Sequence, residues 1–229
     1  NGPSSSASSA GGIAASATTT TAAYSDSLSA ISNIAANTAS MDFNYTNRDT
    51  DASWDASTAS TISFSSGTAD VSGSGVEVQG SHVTITAAGT YVVSGTSDAA
   101  SIVVAAGENN KVQIVLDGVQ LTGSDGPCIT VSSADKVFLT LADGTDNVLS
   151  DASTWTLSGE DGEANATVYS ASDLTINGSG SLTVNATTHN GITSKDDLKI
   201  TDGTITVDAA NTGLRGKDSV RIAGGTVTV

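Results

Sequence analysis

The feature that most constrains the fold is a pattern that occurs three times between residues 173 and 229. The three copies begin with Asp173-Leu174-Thr175-Ile176, Asp197-Leu198-Lys199-Ile200 and Ser219-Val220-Arg221-Ile222. Each copy continues through a glycine-containing turn into a second segment that alternates apolar and polar residues. The equivalent residues Leu174, Leu198 and Val220 are 24 and 22 residues apart. A repeat of this length is typical of a solenoid, and the alternation indicates strands rather than helices. The sequence therefore predicts an all-β solenoid built of stacked coils.

Composition and charge narrow the functional classes. Aromatic residues make up only 4% of the 229 residues, so the core must be built from small and β-branched side chains. The net charge of -16 argues against a nucleic acid or an anionic membrane as partner. No apolar segment is long enough to span a membrane. The charge suits an extracellular protein that binds cations, and simple solubility is the alternative.

The first 40 residues differ from the rest of the chain. Residues 1–40 are rich in Ser, Ala and Thr, which predicts an arm or linker of a secreted protein. Apolar residues from Tyr24 to Ala35 have helical spacing and indicate a short helix or, alternatively, an arm that docks on a neighbouring surface. Because the chain starts with Asn1 and not Met, a processed mature form is expected. Residues 41–229 are predicted to form one domain.

The segment that opens this domain concentrates aromatic and acidic residues. Three aromatic residues are expected to cover one end of the β-core: Phe43, Tyr45 and Trp54. Three carboxylates at short spacing could chelate a hard cation, with a solvated acidic loop as the alternative: Asp49, Asp51 and Asp55. From Thr61 onward short strands with Asp-Gly, Asn-Gly and Gly-Gly turns are predicted, and no helix is expected after residue 60.

One insertion interrupts the period. The equivalent residues Ile129 and Val168 are 39 residues apart, whereas Val168 and Ile192 are 24 apart. The extra residues lie within 147–165, and a loop inserted on one face of a solenoid commonly carries binding. Trp155 in this loop is a candidate to stack on a sugar ring, and Trp54 is a second; an anchor in the core is the alternative for Trp155. Acidic residues accompany it in the loop: Asp151, Glu160, Asp161 and Glu163.

The nucleophile and metal motifs of common enzymes are not found. Cys128 is the single cysteine and opens an apolar run, so a buried thiol is expected rather than a nucleophile. His82 is expected to face solvent. His189 lies beside the Asn190-Gly191 turn and could contact a bound carbohydrate, with a surface histidine as the alternative.

Several consecutive motifs resemble a bacterial carbohydrate-binding domain family that was first described as a domain of unknown function. The motifs are the segment from Thr84 to Gly95, Val115-Leu116-Asp117-Gly118-Val119, Ser194-Lys195-Asp196-Asp197, Gly216-Lys217-Asp218 and the stretch from Asp49 to Asp55. The resemblance covers about residues 42–229. It implies a right-handed parallel β-helix similar to that of certain pectate lyases, secreted or attached to the cell surface. It also implies binding of calcium and plant-type polysaccharide, with binding rather than catalysis as the usual role.

The sequence departs from the family pattern at one recurring position. The family tends to carry Asp before the Gly that opens each pass, as in Asp125-Gly126. The later passes have Asn190-Gly191-Ile192 and Thr212-Gly213-Leu214. An asparagine amide oxygen still binds calcium and threonine does so less well, so a site that used those aspartates is in question.

Stacking the coils brings carboxylates together. Residues at the same position of adjacent coils lie about 4.8 Å apart. The alignment places Asp196 over Asp218 and Asp173 over Asp197. Two carboxylates that close either raise a pKa or share a cation. The predicted calcium ligands are therefore these four, with Asn190 as a neutral ligand. The alternative is that the aspartates point into water or pair with nearby lysines.

Three basic residues beside these aspartates raise the possibility of a lyase. Lys195 and Lys217 directly precede the stacked aspartates, and Arg215 lies two residues before Lys217. A lyase of this kind uses a basic side chain to abstract the proton α to a uronate carboxyl, and calcium acidifies that proton. Neighbouring carboxylates favour the protonated form of a lysine, however, which argues against a catalytic base.

Three functions follow, in order of preference. The first is an extracellular, calcium-stabilised β-helix that binds polysaccharide without cutting it. The second is a structural subunit. The chain stops in mid-repeat at Val229, so either further sequence follows or a neighbouring subunit covers the last coil. A homo-oligomer or head-to-tail filament would do so, with the arm of residues 1–40 docked on a neighbour. The third is a calcium-dependent, pectate-type polysaccharide lyase.

Overall fold

The computed structural model describes residues 44–155 and 164–229, which form an all-β structure around a curled and mainly parallel sheet. One helical turn, α1 (Asn47–Thr50), precedes the strands. The strands are β1 (Ser60–Ser65), β2 (Thr68–Ser72), β3 (Val76–Gln79), β4 (His82–Ile85), β5 (Gly89–Gly123), β6 (Ile129–Leu141), β7 (Asp146–Ser150), β8 (Ala166–Ser170), β9 (Asp173–Asn177), β10 (Ser181–Ala186), β11 (Asn190–Ser194), β12 (Asp197–Ile200), β13 (Thr204–Ala209), β14 (Leu214–Gly216), β15 (Ser219–Ile222) and β16 (Thr226–Thr228).

Parallel pairing arranges the strands in three stacks. The first stack consists of β4, residues 102–104 of β5, residues 129–131 of β6, β8, β11 and β14. The second stack consists of residues 111–116 of β5, residues 136–141 of β6, β9, β12 and β15. The third stack consists of residues 120–122 of β5, β7, β10, β13 and β16. Each later passage of the chain thus adds one strand to every stack. Two antiparallel pairs, β1 with β2 and β3 with β4, precede these passages.

The strand register confirms the repeat that the sequence predicts. Leu198 pairs with Leu174 on one side and with Val220 on the other, so the 24- and 22-residue spacings are one step along the second stack. In the first stack Val168 pairs with Ile129 and with Ile192, across the predicted insertion. The expectation of strands without a helix after residue 60 holds for the described residues.

Alternation along each strand builds the core. In the second stack every second residue is buried in a continuous apolar row: Ile114, Leu139, Ile176 and Ile200. Such rows suit β-branched and leucine side chains, because each one packs on its equivalent in the neighbouring strand. The turn from β9 to β10 needs Gly178, whose φ is +89°. A Cβ there would lie 2.2 Å from the carbonyl oxygen of Leu141.

Residues 45–55, named here the docking segment, lie across the outer face of the second stack. The backbone carbonyl of Asp49 accepts hydrogen bonds from Thr201 Oγ1 at 2.8 Å and Asn177 Nδ2 at 3.2 Å. The expectation that aromatic residues of this segment cover one end of the core is wrong for Trp54, whose side chain is 37% exposed. Polar contacts to the outward side chains of the strands, rather than apolar contacts to the core, fix this segment.

The remaining sequence predictions concern the N-terminal residues, the last passage of the chain and membrane-spanning helices. Residues 1–40, the helix predicted between Tyr24 and Ala35, and Phe43 lie outside the described residues. At the last passage Val220 and Ile222 occupy core-facing positions and are 43% and 52% exposed. Head-to-tail association through that edge stays a prediction. In the described part of the chain, helices long and apolar enough to cross a membrane are not found.

Candidate functional site

The predicted stacking of the acidic residues is confirmed. The backbone N–H of Asp218 donates to the carbonyl oxygen of Asp196 at 3.2 Å, which places the two residues at the same position of adjacent passages. Asp173 and Asp197 begin the neighbouring strands β9 and β12, and the backbone N–H of Asp197 donates to Asp173 Oδ1 at 3.1 Å. Four of the five predicted metal ligands therefore lie at one edge of the second stack.

The fifth, Asn190, is not brought to this edge. It begins β11, whereas Asp196 follows the end of that strand, so roughly 20 Å of extended chain separates them. The amide oxygen of Asn190 accepts a hydrogen bond from the backbone N–H of Thr212 at 3.1 Å. Its role in the structure is to join two passages of the chain.

Basic side chains of the same stack neutralise Asp197. Arg221 Nη2 lies 3.0 Å from Asp197 Oδ2 and Lys199 Nζ lies 3.9 Å from it, while the Ser219 hydroxyl donates to Oδ1 at 2.6 Å. Lys195 and Lys217 were the alternative partners expected for the aspartates, and Lys199 and Arg221 were not predicted. The signal was present, because residues two apart on a strand share a face and Lys199 follows Asp197 by two.

The negative charge of Asp196 is little compensated by basic side chains. Burial raises its pKa, and the carboxylates of Asp173 and Asp218 raise it further, against an opposing effect of Lys217. Asp196 also lines a surface cavity with Glu108 and other polar residues. Within residues 44–155 and 164–229, however, His, Cys, Asp and Glu side chains do not come together in threes in a geometry that could hold a metal ion. A cation at Asp196 would need side chains to rotate toward it.

The three basic residues of the predicted lyase site lie on adjacent passages. The backbone N–H groups of Lys195 and Lys217 donate to the carbonyls that end the preceding strands, at 2.8 and 3.0 Å, so these lysines occupy equivalent positions. Arg215 lies in β14, where it pairs in register with Thr193 of the first stack. Arg215 and Lys217 are exposed and Lys195 is half-buried.

Trp155 and His189 form one cluster. Their rings meet edge to face with centroids 4.5 Å apart. The indole Nε1–H donates to Asp151 Oδ2 at 3.3 Å, and a Cβ on Gly126 would lie 3.3 Å from Cε3 of the indole. Trp155 is half-buried, so it is anchored by these contacts and still reaches the surface. Glu160, Asp161 and Glu163 of the same insertion lie outside the described residues.

Asp151 holds this cluster to the neighbouring passage. Its side chain is buried and accepts hydrogen bonds from the backbone N–H and hydroxyl groups of Thr187 and Thr188, at 2.5 to 3.0 Å. Burial opposes its ionisation, but these hydrogen bonds outweigh burial and lower its pKa. The sequence analysis named Asp151 only as one acidic residue of the insertion; in the structure it fixes the position of Trp155.

Asp49 has a different role in the structure from the one predicted for it. The cation site proposed for Asp49 with Asp51 and Asp55 is not formed, because Asp49 is fully buried and the other two are exposed. Asp49 Oδ1 lies 2.5 Å from Lys136 Nζ, and Oδ2 lies 3.7 Å from Lys199 Nζ. Burial opposes ionisation, but hydrogen bonds led by that of Lys136 outweigh it and lower the pKa of Asp49.

A capping motif also holds Asp49. Thr46 caps α1 by accepting from the Asp49 backbone, while the Asp49 side chain accepts from the Thr46 backbone N–H. This reciprocal pattern of a threonine followed three residues later by an acidic side chain was visible in the sequence. It predicts a helix start, but not the lysines that the carboxylate meets.

Comparison with known proteins identifies the family. Residues 79–229 match the family model of carbohydrate-binding domain-containing proteins. The chain belongs to this family. A carbohydrate-binding domain-containing protein from Acetivibrio thermocellus is 46% identical over 136 residues, which are 59% of this chain and 48% of that protein. The chain thus spans about half the length of this relative.

A solved structure agrees with this family. The structure of a polysaccharide lyase-like protein from C. thermocellum, determined as a gadolinium derivative, superposes with a TM-score of 0.70 at 43% identity. The alignment covers 73% of this chain and 68% of that one. The family match begins at residue 79, so the acidic edge and Trp155 lie within it and the docking segment lies outside it.

Proposed function

We propose that this carbohydrate-binding domain-containing protein is an extracellular right-handed parallel β-helix that binds calcium and plant cell-wall polysaccharide without cleaving it. The observation that carries the proposal is the family match over residues 79–229 together with the polysaccharide lyase-like structural relative. The β-helix is supported by three parallel stacks in which each passage of 22 to 24 residues adds a strand. The Ser/Ala/Thr-rich residues 1–40 and the acidic net charge support an extracellular location.

Trp155 is the proposed sugar-stacking residue. Aromatic rings bind the apolar faces of sugar rings, and Trp155 reaches the surface on an inserted loop while Asp151 and His189 hold its ring. A preorganised ring loses little entropy on binding. Trp54 is the second aromatic candidate, and His189 is proposed to support the ring of Trp155.

Affinity electrophoresis of the full chain in gels that contain polygalacturonate, xylan or β-glucan tests this proposal. Trp155→Ala should abolish retardation by the bound glycan, whereas Trp155→Phe should keep most of it because a ring remains. Trp54→Ala tests the second aromatic candidate and should weaken the retardation less than Trp155→Ala does. If none of the three polysaccharides slows the migration of the unsubstituted chain, the proposal of polysaccharide binding is rejected.

Calcium binding is proposed at the edge formed by Asp173, Asp196 and Asp218. Burial and then the carboxylates of Asp173 and Asp218 raise the pKa of Asp196, and a cation would compensate the negative charge of these neighbours. Asp197 has Arg221 as a partner and is the least suitable of the four aspartates. Isothermal titration of the metal-free chain with calcium should show binding that Asp196→Asn weakens and Asp197→Asn weakens less. If the heat of titration does not exceed the heat of dilution, the calcium site is rejected.

Polysaccharide lyase activity is the second candidate, favoured by the lyase-like structural relative. The candidate base would be one of Lys195, Lys217 and Arg215. Incubation with polygalacturonate and calcium should then produce the ultraviolet absorbance of an unsaturated uronate, and Lys217→Met should reduce that rate. A flat trace removes this candidate for that substrate and leaves the binding proposal in place.

A further inference from the structure

Basic residues of this acidic chain are concentrated on one surface. The chain has eight lysine and arginine residues. Five of them lie on or against the outer face of the second stack: Arg48, Lys111, Lys136, Lys199 and Arg221. Lys111, Lys136 and Lys199 alternate along their strands with buried residues of the core, so they face away from it. Arg221 lies between the core-facing positions of Val220 and Ile222 and faces the same way. Of these five, Arg48 belongs to the docking segment, and Lys136 and Lys199 face its Asp49.

An aromatic ring lies among these cations. Phe138 is outward in its strand, because its neighbours Val137 and Leu139 belong to the core, yet it is only 1% exposed. The guanidinium carbon of Arg48 lies 5.0 Å from its ring centroid, and Lys136 Nζ lies 5.4 Å from it. Arg48 of the docking segment thus covers the apolar ring of Phe138 on the outer face of the sheet.

A row of hydrogen-bonding side chains crosses the stack beside the ring. Gln113 Nε2 donates to Thr140 Oγ1 at 3.0 Å, and Thr140 Oγ1 donates to Asn177 Oδ1 at 2.7 Å. Toward the docking segment the same side chains meet backbone carbonyls: Gln113 that of Ser53 at 3.4 Å, and Asn177 that of Asp49 at 3.2 Å. Amide and hydroxyl groups in a row of this kind are also suitable partners for sugar hydroxyls.

The carboxylate of Asp49 occupies the centre of this surface. Its Oδ1 accepts from Lys136 and, at 2.7 Å, from the Thr175 hydroxyl, while Lys199 lies near Oδ2. Two ammonium groups and one hydroxyl of the sheet therefore converge on a single carboxylate supplied from outside the sheet. Lys136 and Lys199 are each 7% exposed, so they are largely dehydrated in this arrangement.

We propose that the outer face of the second stack is a uronate-binding site whose carboxylate subsite is filled by Asp49 in this structure. Burying an ionic pair costs desolvation free energy, so an apolar contact would anchor a short segment at least as well. A sugar acid offers a carboxylate, hydroxyls and an apolar ring face, which match the lysine pair, the amide row and Phe138 in turn. This inference rests on the proposed polysaccharide-binding function and adds that acidic glycans compete with the docking segment.

Hydrogen–deuterium exchange of the full, unsubstituted chain tests the competition. Saturating oligogalacturonate should increase the exchange rate of the backbone amides of Asn47–Thr50 by about tenfold or more, because α1 must leave the sheet. A neutral oligogalactan of equal length should leave those rates unchanged. Unchanged or slower exchange with oligogalacturonate overturns the inference.

Chemical rescue tests the subsite directly. Asp49→Ala leaves a cavity between the lysines, and galacturonate should raise the Tm of this variant more than acetate or galactose at equal ionic strength. Adding Lys136→Met should weaken galacturonate binding by about tenfold to a hundredfold, the equivalent of one charge-assisted hydrogen bond. Asp55→Ala is the matched control and should gain no such response. A Tm increase no larger than that with acetate overturns the subsite; if Asp49→Ala does not fold, the exchange experiment alone decides.

The outcomes separate this inference from the proposed function. Polysaccharide binding by the unsubstituted chain with unchanged exchange in α1 would reject the uronate site and keep the proposed function. If galacturonate rescues Asp49→Ala but no polysaccharide slows the migration of the unsubstituted chain, the uronate site is kept and the proposed function is rejected.

Discussion

The ion cluster at Asp49 makes a prediction about stability. Asp49→Asn keeps the size of the side chain and its ability to accept from Thr175, but removes the charge that Lys136 and Lys199 share. Lys136 then remains dehydrated without a counter-ion among the described residues, and Lys199 keeps only Asp197, whose Oδ2 lies 3.9 Å from its Nζ. Removing one partner of a buried ion pair costs ~3–5 kcal/mol. For a domain of this size, each kcal/mol lowers Tm by ~2–4 °C, so we expect a decrease of roughly 6–20 °C at neutral pH.

The effect should depend on pH in one direction. The pKa of Asp49 in the folded protein lies well below the ordinary value of an aspartate carboxyl. A carboxylate with a lowered pKa contributes its full stabilisation above the unfolded-state pKa and loses it as the pH falls through the folded-state pKa. The difference between the unsubstituted chain and Asp49→Asn should therefore be largest near neutral pH and should narrow below about pH 4.

Urea unfolding followed by circular dichroism at pH 7, 5 and 3 measures this difference. Asp55→Asn is the control, because Asp55 is exposed and its carboxylate accepts only from Ser57 among the described residues. Its free energy of unfolding should match that of the unsubstituted chain at each pH. The reasoning is refuted if Asp49→Asn unfolds within about 1 kcal/mol of the unsubstituted chain at pH 7, or if the difference is the same at all three pH values.

Three further predictions follow from single contacts. Burial raises the pKa of the Cys128 thiol to about 12, so a thiol reagent should label the native chain at pH 8 far more slowly than the urea-unfolded chain. Gly178→Ala should lower Tm sharply and unfold the chain in less urea, because its φ is positive and the carbonyl of Leu141 is too close for a Cβ, whereas Gly144→Ala has the open space for one and should cost less. Asp218→Asn should lower the pKa of Asp196 in a carboxyl NMR titration, since it removes one of the charges that raise it.

The strand register could be predicted because the rule that produces it is local. Alternation decides which residues face the core, and a 22- to 24-residue period decides which residue stacks on which, as Leu174, Leu198 and Val220 show. The insertion before β8 could be located for the same reason, because Ile129 and Val168 remain in register on either side of it. No long-range contact had to be known in advance.

The docking segment could not be predicted because its contacts are distant in sequence and polar. Thr175 and Asn177 lie 126 and 128 residues from Asp49, and their side chains are polar and outward. Alternation predicts that such residues face water. They are buried because another part of the chain covers them, and neither composition nor periodicity indicates which face is covered. The capping pattern at Thr46 locates α1 in the sequence and leaves its position on the sheet open.

The same alternation explains why Asp196, at the acidic edge, is a better candidate calcium ligand than Asp197. Stacked carboxylates need a bound metal ion only where no lysine or arginine side chain neutralises them. On the second stack, residues two apart share a face, so Lys199 and Arg221 reach Asp197 from the next outward positions. Asp196 precedes the strand, and the residue two positions after it is Leu198, which carries no charge. Burial raises the pKa of Asp196, the carboxylates of Asp173 and Asp218 raise it further, and Lys217 opposes them. Calcium should therefore be sought at Asp196 and Asp218 rather than at Asp197, and a site centred on Asp197 would contradict this account of how the stack balances its charges.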